Sequence, residues 1–74
     1  MEERIKEIVL KVLPEAEIDT CEDFFDEGLD SMGVMTIIAM IQSTFGIEIA
    51  PEDITADNFS NFGEIVRLVD RYGK

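Results

Sequence analysis

Apolar residues recur at helical spacing in three stretches of the chain. In residues 2–13 they fall three and four positions apart, and a proline follows, which disfavours continuation of the helix. Residues 31–45 carry a second stripe that ends at Gly46, a residue type that often terminates helices. A third stripe follows Asn61, which precedes Glu64 by three positions in the pattern of a capping box. The predicted core positions are Ile5, Ile8, Val9, Val12, Leu13, Val34, Ile37, Ile38, Ile41, Phe45, Phe62, Ile65, Val66, Val69 and Tyr72.

The connections between the predicted helices are long. Residues 14–30 hold eight acids and no base, and we expect Phe24 or Phe25 to anchor this loop to the core. Thr55 can cap a short turn of helix that runs to Phe59. Three main helices and one short helix predict an all-α fold, a small four-helix bundle with a long first loop. Long ordered loops of this kind often carry function.

The charge of the chain narrows the range of its partners. Its 17 acids and 6 bases give a net charge of −11, and no Lys or Arg lies between Val12 and Val66. Nucleic acids and anionic membrane surfaces attract a basic footprint, so neither is an expected partner. The charge favours steering toward a basic protein surface, although acids also simply keep a protein in solution. With 74 residues the chain has room for one core, and we expect a single domain over residues 1–74.

The chain lacks the residues on which most catalytic and metal sites depend. It has no histidine, no phosphate-binding loop and a single cysteine, Cys21, so a Ser-His-Asp arrangement and an internal disulfide are excluded, and we expect no metal site. We interpret Cys21 as structural or incidental. A calcium loop starting at Asp23 fails because Phe25 and Val34 occupy ligand positions, although weak binding of a divalent ion by the acidic loop stays an alternative. The charged start of the chain and the absence of a membrane-length apolar run indicate a cytoplasmic protein, and nothing argues against a monomer.

Ser31 stands where the acidic loop meets the second predicted helix. Its hydroxyl can act as the N-cap of that helix, a contribution of roughly 1 kcal/mol. Asp30 can cap the helix equally well, which would leave the Ser31 hydroxyl free in the first turn. A phosphate on that hydroxyl would gain about 0.3–1 kcal/mol from the helix dipole. It would lose about 1 kcal/mol to each close carboxylate, so these energies do not choose between the two readings.

A motif around this serine resembles one from a known family. The stretch FFDEGLDSM, residues 24–32, resembles the phosphopantetheine attachment motif of acyl and peptidyl carrier proteins. The order of the helices and the FGIEI stretch after the second helix are also similar to the family, so the resemblance extends over nearly the whole chain. It implies an acyl-carrier-like fold and a 4'-phosphopantetheine arm, moved from coenzyme A onto Ser31 by a separate transferase that uses magnesium.

The resemblance also implies roles for the neighbours of Ser31. Asp30 would help to position the reacting groups and the metal, Gly28 would permit the tight loop, and Leu29 and Met32 would flank the attached arm. The protein would be a carrier and not an enzyme, and it would hold an acyl or aminoacyl group as a thioester, for fatty acid, polyketide or aminoacyl biosynthesis. Its partners would be a phosphopantetheinyl transferase, a ligase that loads the acyl or aminoacyl group, and downstream acyl-using enzymes.

A second stripe on the second predicted helix begins beside Ser31. It comprises Met32, Met35, Thr36, Ala39 and Ser43. Methionines adapt to surfaces of different shape, so we predict that this stripe docks partner enzymes. The alternative is that a thin bundle buries these residues in its core.

Two features distinguish the chain from fatty-acid carriers. Such carriers usually have glutamates along the second helix, where this chain has Thr36, Gln42, Ser43 and Thr44, and Glu27 stands where many relatives have an apolar residue. The stretches LDSMG and DNFSNFGEIVRLV are similar to specialised stand-alone carriers, including D-alanyl carrier proteins, and we favour that type. A small acidic helical module that binds a protein partner without a cofactor is the alternative. It explains the charge and the bundle but not the serine-centred motif.

Overall fold

Three α-helices form the framework of the protein, which a computed structural model describes at residues 1–20 and 22–73. They are α1 (Glu2–Val12), α2 (Ser31–Phe45) and α3 (Phe62–Tyr72). Helix α1 packs against both α2 and α3. No strand occurs in the described ranges, and the predicted all-α, carrier-like bundle is confirmed.

Short 3₁₀ turns punctuate the two long connections. They span Phe24–Glu27, Pro51–Asp53 and Asp57–Phe59. The last turn is the predicted short helix, and the Thr55 hydroxyl oxygen accepts a hydrogen bond from the Asn58 N–H at 3.2 Å, as expected of a cap. The segment forms a single tight turn because it is only three residues long. Cys21, which we interpreted as structural or incidental, lies outside the described residues.

The predicted end of α2 and the predicted Asn61 cap at the start of α3 are confirmed, but the Glu64 side chain does not complete the capping box among the described residues. Gly46 closes α2 with a φ of 66°, a left-handed conformation that glycine adopts without steric cost. Asn61 begins α3, and its side-chain oxygen accepts a hydrogen bond from the Glu64 N–H at 2.9 Å. The Glu64 carboxylate in turn accepts a hydrogen bond from Arg67 within the first turns of α3.

The core lies between the three helices and is closed by aromatic residues from the connections. The buried helical residues are Ile5, Ile8 and Val9 of α1, Ile37, Ile38 and Ile41 of α2, and Ile65, Leu68 and Val69 of α3. Phe24 and Phe59 are fully buried and come from the first and second connections. The predicted core residues Val12, Val34, Phe45, Phe62, Val66 and Tyr72 are partly buried and pack against this core. Leu68 is fully buried but was not among the predicted core residues of α3. The buried face of α3 is therefore centred nearer to Leu68 than predicted.

A glycine lets α1 and α2 approach closely at the start of α2. A Cβ atom on Gly33 would lie 2.7 Å from Leu29 Cδ1 and 3.1 Å from Val12 Cγ1. These distances are shorter than ordinary van der Waals contact between carbon atoms. The end of α1 therefore packs directly against the helical turn that carries Ser31.

Candidate functional site

The first connection is fastened to the core immediately before the candidate site. Phe24 is fully buried, and its N–H donates to the carbonyl oxygen of Ser60 at 2.6 Å, which joins this loop to the segment before α3. Asp23 begins the 3₁₀ turn and accepts a hydrogen bond from the Phe25 N–H at 2.9 Å. The expectation that one of the two phenylalanines anchors the loop is confirmed, since Phe24 fills that role and Phe25 stays partly exposed.

Gly28 and Leu29 turn the chain from the loop into α2. Gly28 has a φ of 107°, which residues with a Cβ atom rarely adopt, so glycine is required for this turn. Leu29 follows with its side chain only 5% exposed, and its N–H donates to the Phe24 carbonyl oxygen at 3.1 Å. The buried leucine fixes the direction in which the next two residues leave the core.

Asp30, and not Ser31, caps α2. The Asp30 carboxylate accepts a hydrogen bond from the Gly33 N–H at 2.8 Å, and its carbonyl oxygen accepts from the Val34 N–H at 2.9 Å. Ser31 is the first residue of the helix and is exposed. Its hydroxyl makes no hydrogen bond to any of the described residues. Of the two readings left open by the sequence, the structure therefore selects the one in which the hydroxyl is available for chemistry.

An apolar groove of about 350 Å³ opens beside Ser31. Its lining residues are Phe25, Ser31, Val34, Met35, Ile54, Thr55 and Ala56. One wall comes from the start of α2 and the other from the connection between α2 and α3. A chain attached to the serine would therefore find apolar surface directly next to its point of attachment.

Negative charge surrounds this site while α2 itself is neutral. Asp26, Glu27 and Asp30 are exposed on the approach to Ser31, and no residue from Ser31 to Phe45 is charged. Within residues 1–20 and 22–73, no group of three or more His, Cys, Asp or Glu side chains is arranged to hold a metal ion. The site thus combines negatively charged residues just before Ser31 with an uncharged helix after it.

The predicted docking stripe lies in solvent. Met32 and Met35 are 79% and 60% exposed, and Thr36, Ala39 and Ser43 are exposed beside them. At 100° per residue, the five positions cluster on the side of α2 opposite its buried isoleucines. The alternative in which the core contains these residues is wrong. The Thr36 hydroxyl donates to the Met32 carbonyl oxygen at 3.0 Å.

A comparison with protein families agrees with this geometry. A family model described as the phosphopantetheine attachment site matches residues 3–69. The chain belongs to this family. It is therefore a phosphopantetheine-carrying carrier protein, and its cofactor is the covalently attached 4'-phosphopantetheine arm. Carrier domains of this family are not themselves catalytic, and they interact with a transferase and with acyl-using enzymes in general.

The residues around Ser31 fit a covalent phosphopantetheine group. The carrier's serine hydroxyl is exposed, it has no competing bond among the described residues, and an apolar groove begins at its side. The helix start brings Gly28, Asp30 and Met32 together with it. Leu29 points into the core and supports the site from beneath, and neither Leu29 nor Gly28, Asp30 and Met32 is among the residues that line the groove.

Sequence reasoning missed the second wall of the groove. Ile54, Thr55 and Ala56 lie more than 20 positions after the serine, and their stretch reads as an ordinary loop. Local periodicity carries no signal for this contact, since it depends on how the connection folds back across α2.

None of the carrier's helices in the described residues is both long enough and apolar enough to span a bilayer.

Proposed function

We propose that Ser31 is the attachment point of the phosphopantetheine arm. The single observation that supports this most strongly is the Asp30 cap, because it satisfies the helix end and leaves the adjacent serine hydroxyl exposed without a hydrogen bond to the described residues. The other serines lack this setting. Ser43 lies near the opposite end of α2, and the Ser60 hydroxyl donates to the carbonyl oxygen of Asp57.

The neighbours of Ser31 have distinct proposed tasks. Asp30 helps to position the transferred group and the transferase's metal, in addition to capping the helix. Gly28 permits the turn that presents the serine, while Leu29 holds that turn to the core and Met32 borders the arm. The carrier occupies residues 1–74 as one domain and works as a monomer in the cytoplasm.

The proposed cargo is a small acyl or aminoacyl group held as a thioester, as in dedicated stand-alone carriers of the D-alanyl or peptidyl type. The uncharged α2 supports this choice over fatty-acid enzymes that dock on glutamates of the second helix. Loading would require a ligase that activates the group, and an acyl-using enzyme would remove it.

Intact mass spectrometry tests the attachment site. The protein is incubated with coenzyme A, magnesium and a broad-specificity phosphopantetheinyl transferase, beside Ser31→Ala and Ser43→Ala variants. We expect one phosphopantetheine on the wild type and on Ser43→Ala, and none on Ser31→Ala. Equal modification of all three proteins would refute Ser31 as the site. Failure of all three folded proteins with several transferases would favour the cofactor-free interaction module.

We propose that the ligase and the acyl-using enzymes dock on an exposed stripe of α2. The stripe comprises Met32, Met35, Thr36, Ala39 and Ser43. Its apolar centre suits an apolar partner surface, and the net charge of −11 favours a partner whose surrounding surface is basic. Long-range attraction would then raise the association rate, while the methionines provide the local fit.

A pair of substitutions tests this docking surface. Ala39→Gln changes the proposed face without changing a residue that lines the groove, and Thr20→Gln changes an exposed position outside that face. We expect Ala39→Gln to raise the KM of the loading ligase for the carrier, with Thr20→Gln close to the wild type. Equal effects of the two substitutions would place the docking surface elsewhere.

A further inference from the structure

The last residue of α3 is tied to the connection that follows α2. The Tyr72 hydroxyl oxygen accepts a hydrogen bond from the Ala50 N–H at 2.9 Å, and the same hydroxyl donates to the Asp53 carboxylate. Both partners belong to the segment at the 3₁₀ turn Pro51–Asp53. The Tyr72 hydroxyl thus binds both the Ala50 N–H and the Asp53 carboxylate, which are three positions apart in the chain.

The fastened segment leads directly into the second wall of the groove. Asn58 Nδ2 donates to the Asp53 carbonyl oxygen at 2.7 Å, and the Asn58 N–H donates to Thr55 Oγ1 at 3.2 Å. Between Asp53 and Asn58 lie Ile54, Thr55 and Ala56, which line the groove at Ser31. The Tyr72 and Asn58 bonds therefore hold the wall at both of its ends.

This wall has little regular structure, and its backbone hydrogen bonds are short-range, from the Ile54 N–H to the Pro51 carbonyl oxygen and from the Thr55 N–H to the Asp53 carbonyl oxygen, both at 3.1 Å. The chain between Asp53 and Asp57 belongs to neither an α-helix nor a 3₁₀ turn, and Ile54 is only partly buried. Segments with few buried contacts and little regular hydrogen bonding open more readily than helices. Among the hydrogen bonds that the structure describes for residues 50–56, those of Tyr72 join the segment to α3, and they therefore restrain how far the wall can move from the helices.

We propose that Tyr72 is a positioning residue that acts through Ala50 and Asp53 to hold the groove wall against which the arm on Ser31 lies. This inference rests on the proposed attachment of the arm to Ser31. Tyr72 does not line the groove, so its effect on the carried group is indirect. Loss of its hydroxyl frees the wall without removing any groove-lining side chain.

Tyr72→Phe is the direct test because it removes the hydroxyl and keeps the ring. Amide hydrogen exchange is measured on the protein without the arm, and amide chemical shifts are compared before and after loading with phosphopantetheine. Loss of two hydrogen bonds is expected to speed exchange across residues 50–56 by about tenfold. The shift changes that loading produces at residues 54–56 in the wild type are expected to be lost in the variant.

Three further variants separate positioning from a general loss of stability. Ile5→Val trims a fully buried residue of α1 that does not line the groove, so it weakens the fold without freeing the wall. Asp53→Asn retains an oxygen that accepts the phenol hydrogen bond, and it is expected to keep the loading shifts. Asp53→Ala removes that acceptor and is expected to behave as Tyr72→Phe does, which provides a second test if the tyrosine variant folds poorly.

Two results would overturn the inference. The first is exchange and loading shifts at residues 50–56 that are unchanged in Tyr72→Phe. The second is an Ile5→Val variant that loses the loading shifts to the same degree. If the wild type gains no phosphopantetheine, the intact mass reveals it before any shift is measured, and the proposed function fails together with the arm's place in the groove.

Discussion

Alanine at Gly33 is predicted to destabilise the carrier, whereas alanine at Gly63 is predicted to stabilise it. Both glycines lie in the first turn of a helix, Gly33 in α2 and Gly63 in α3. A Cβ atom at either position would lie 3.4 Å from the oxygen that caps its helix. The two sites differ in one respect, because only the Cβ at Gly33 would also meet side chains of Leu29 and Val12, at 2.7 and 3.1 Å.

The expected magnitudes follow from this difference. Replacing an exposed helical glycine by alanine gains up to about 1 kcal/mol of helix propensity. Forcing an extra carbon into a packed interface costs about 1–3 kcal/mol. Gly63→Ala should therefore gain up to about 1 kcal/mol, and the two variants should differ by about 1–3 kcal/mol, with Gly33→Ala the less stable.

Thermal unfolding followed by circular dichroism measures both variants under the same conditions. The predicted separation corresponds to a difference in Tm of at least about 4 °C for a domain of this size. A Leu29→Ala change should cost less in the Gly33→Ala background than in the wild type, because it relieves the clash. A Gly33→Ala protein as stable as Gly63→Ala would refute the prediction that the Leu29 and Val12 side chains cannot move aside for the added methyl group.

Further perturbations test the cap, the anchor and the phenol. Asp30→Ala should lose about 0.5–2 kcal/mol of stability while Asp30→Asn, which retains a capping oxygen, stays close to the wild type in thermal unfolding; equal losses would argue against the cap. Phe24→Ala removes a fully buried ring and should cost about 3–5 kcal/mol, whereas Phe25→Ala should cost clearly less, and urea midpoints that coincide would contradict the anchor assignment. The Tyr72 pKa is raised above its ordinary value of 10.0, chiefly because its hydroxyl donates to the Asp53 carboxylate. The folded protein therefore holds this proton more tightly than the unfolded chain. The contribution of the Tyr72 hydroxyl to the free energy of unfolding is complete below the unfolded pKa and is lost as the pH rises through the folded pKa. Alkaline Tm scans should show a smaller loss for Tyr72→Phe than for the wild type, and identical slopes would contradict this.

The sequence predicts the helices well because their signals are local. Stripes of apolar residues, the Asn61 cap and the Gly46 stop each depend on residues a few positions apart, and the structure confirms them. The choice between Asp30 and Ser31 as the cap of α2 was beyond sequence reasoning, since both side chains can accept the same hydrogen bond. Only the backbone geometry decides that Asp30 caps and Ser31 follows.

The remaining features depend on contacts between distant parts of the chain. Leu68 reads as one more apolar residue of α3, and its full burial follows from how the helices pack together. The hydrogen bonds that hold the groove wall join Tyr72 to Asp53 and Ala50, which are 19 and 22 positions away in the chain. Periodicity within one helix contains no information about such pairs.

The most direct test of the central claim is to locate the attached group on the wild-type chain. The loaded carrier is digested, and the modified peptide is fragmented in a mass spectrometer, which requires no substitution and no assumption about folding. We predict that the phosphopantetheine is found on Ser31, in a peptide that contains the GLDSM stretch. Phosphopantetheine on Ser43 or Ser60 would contradict the account of the exposed serine behind the Asp30 cap.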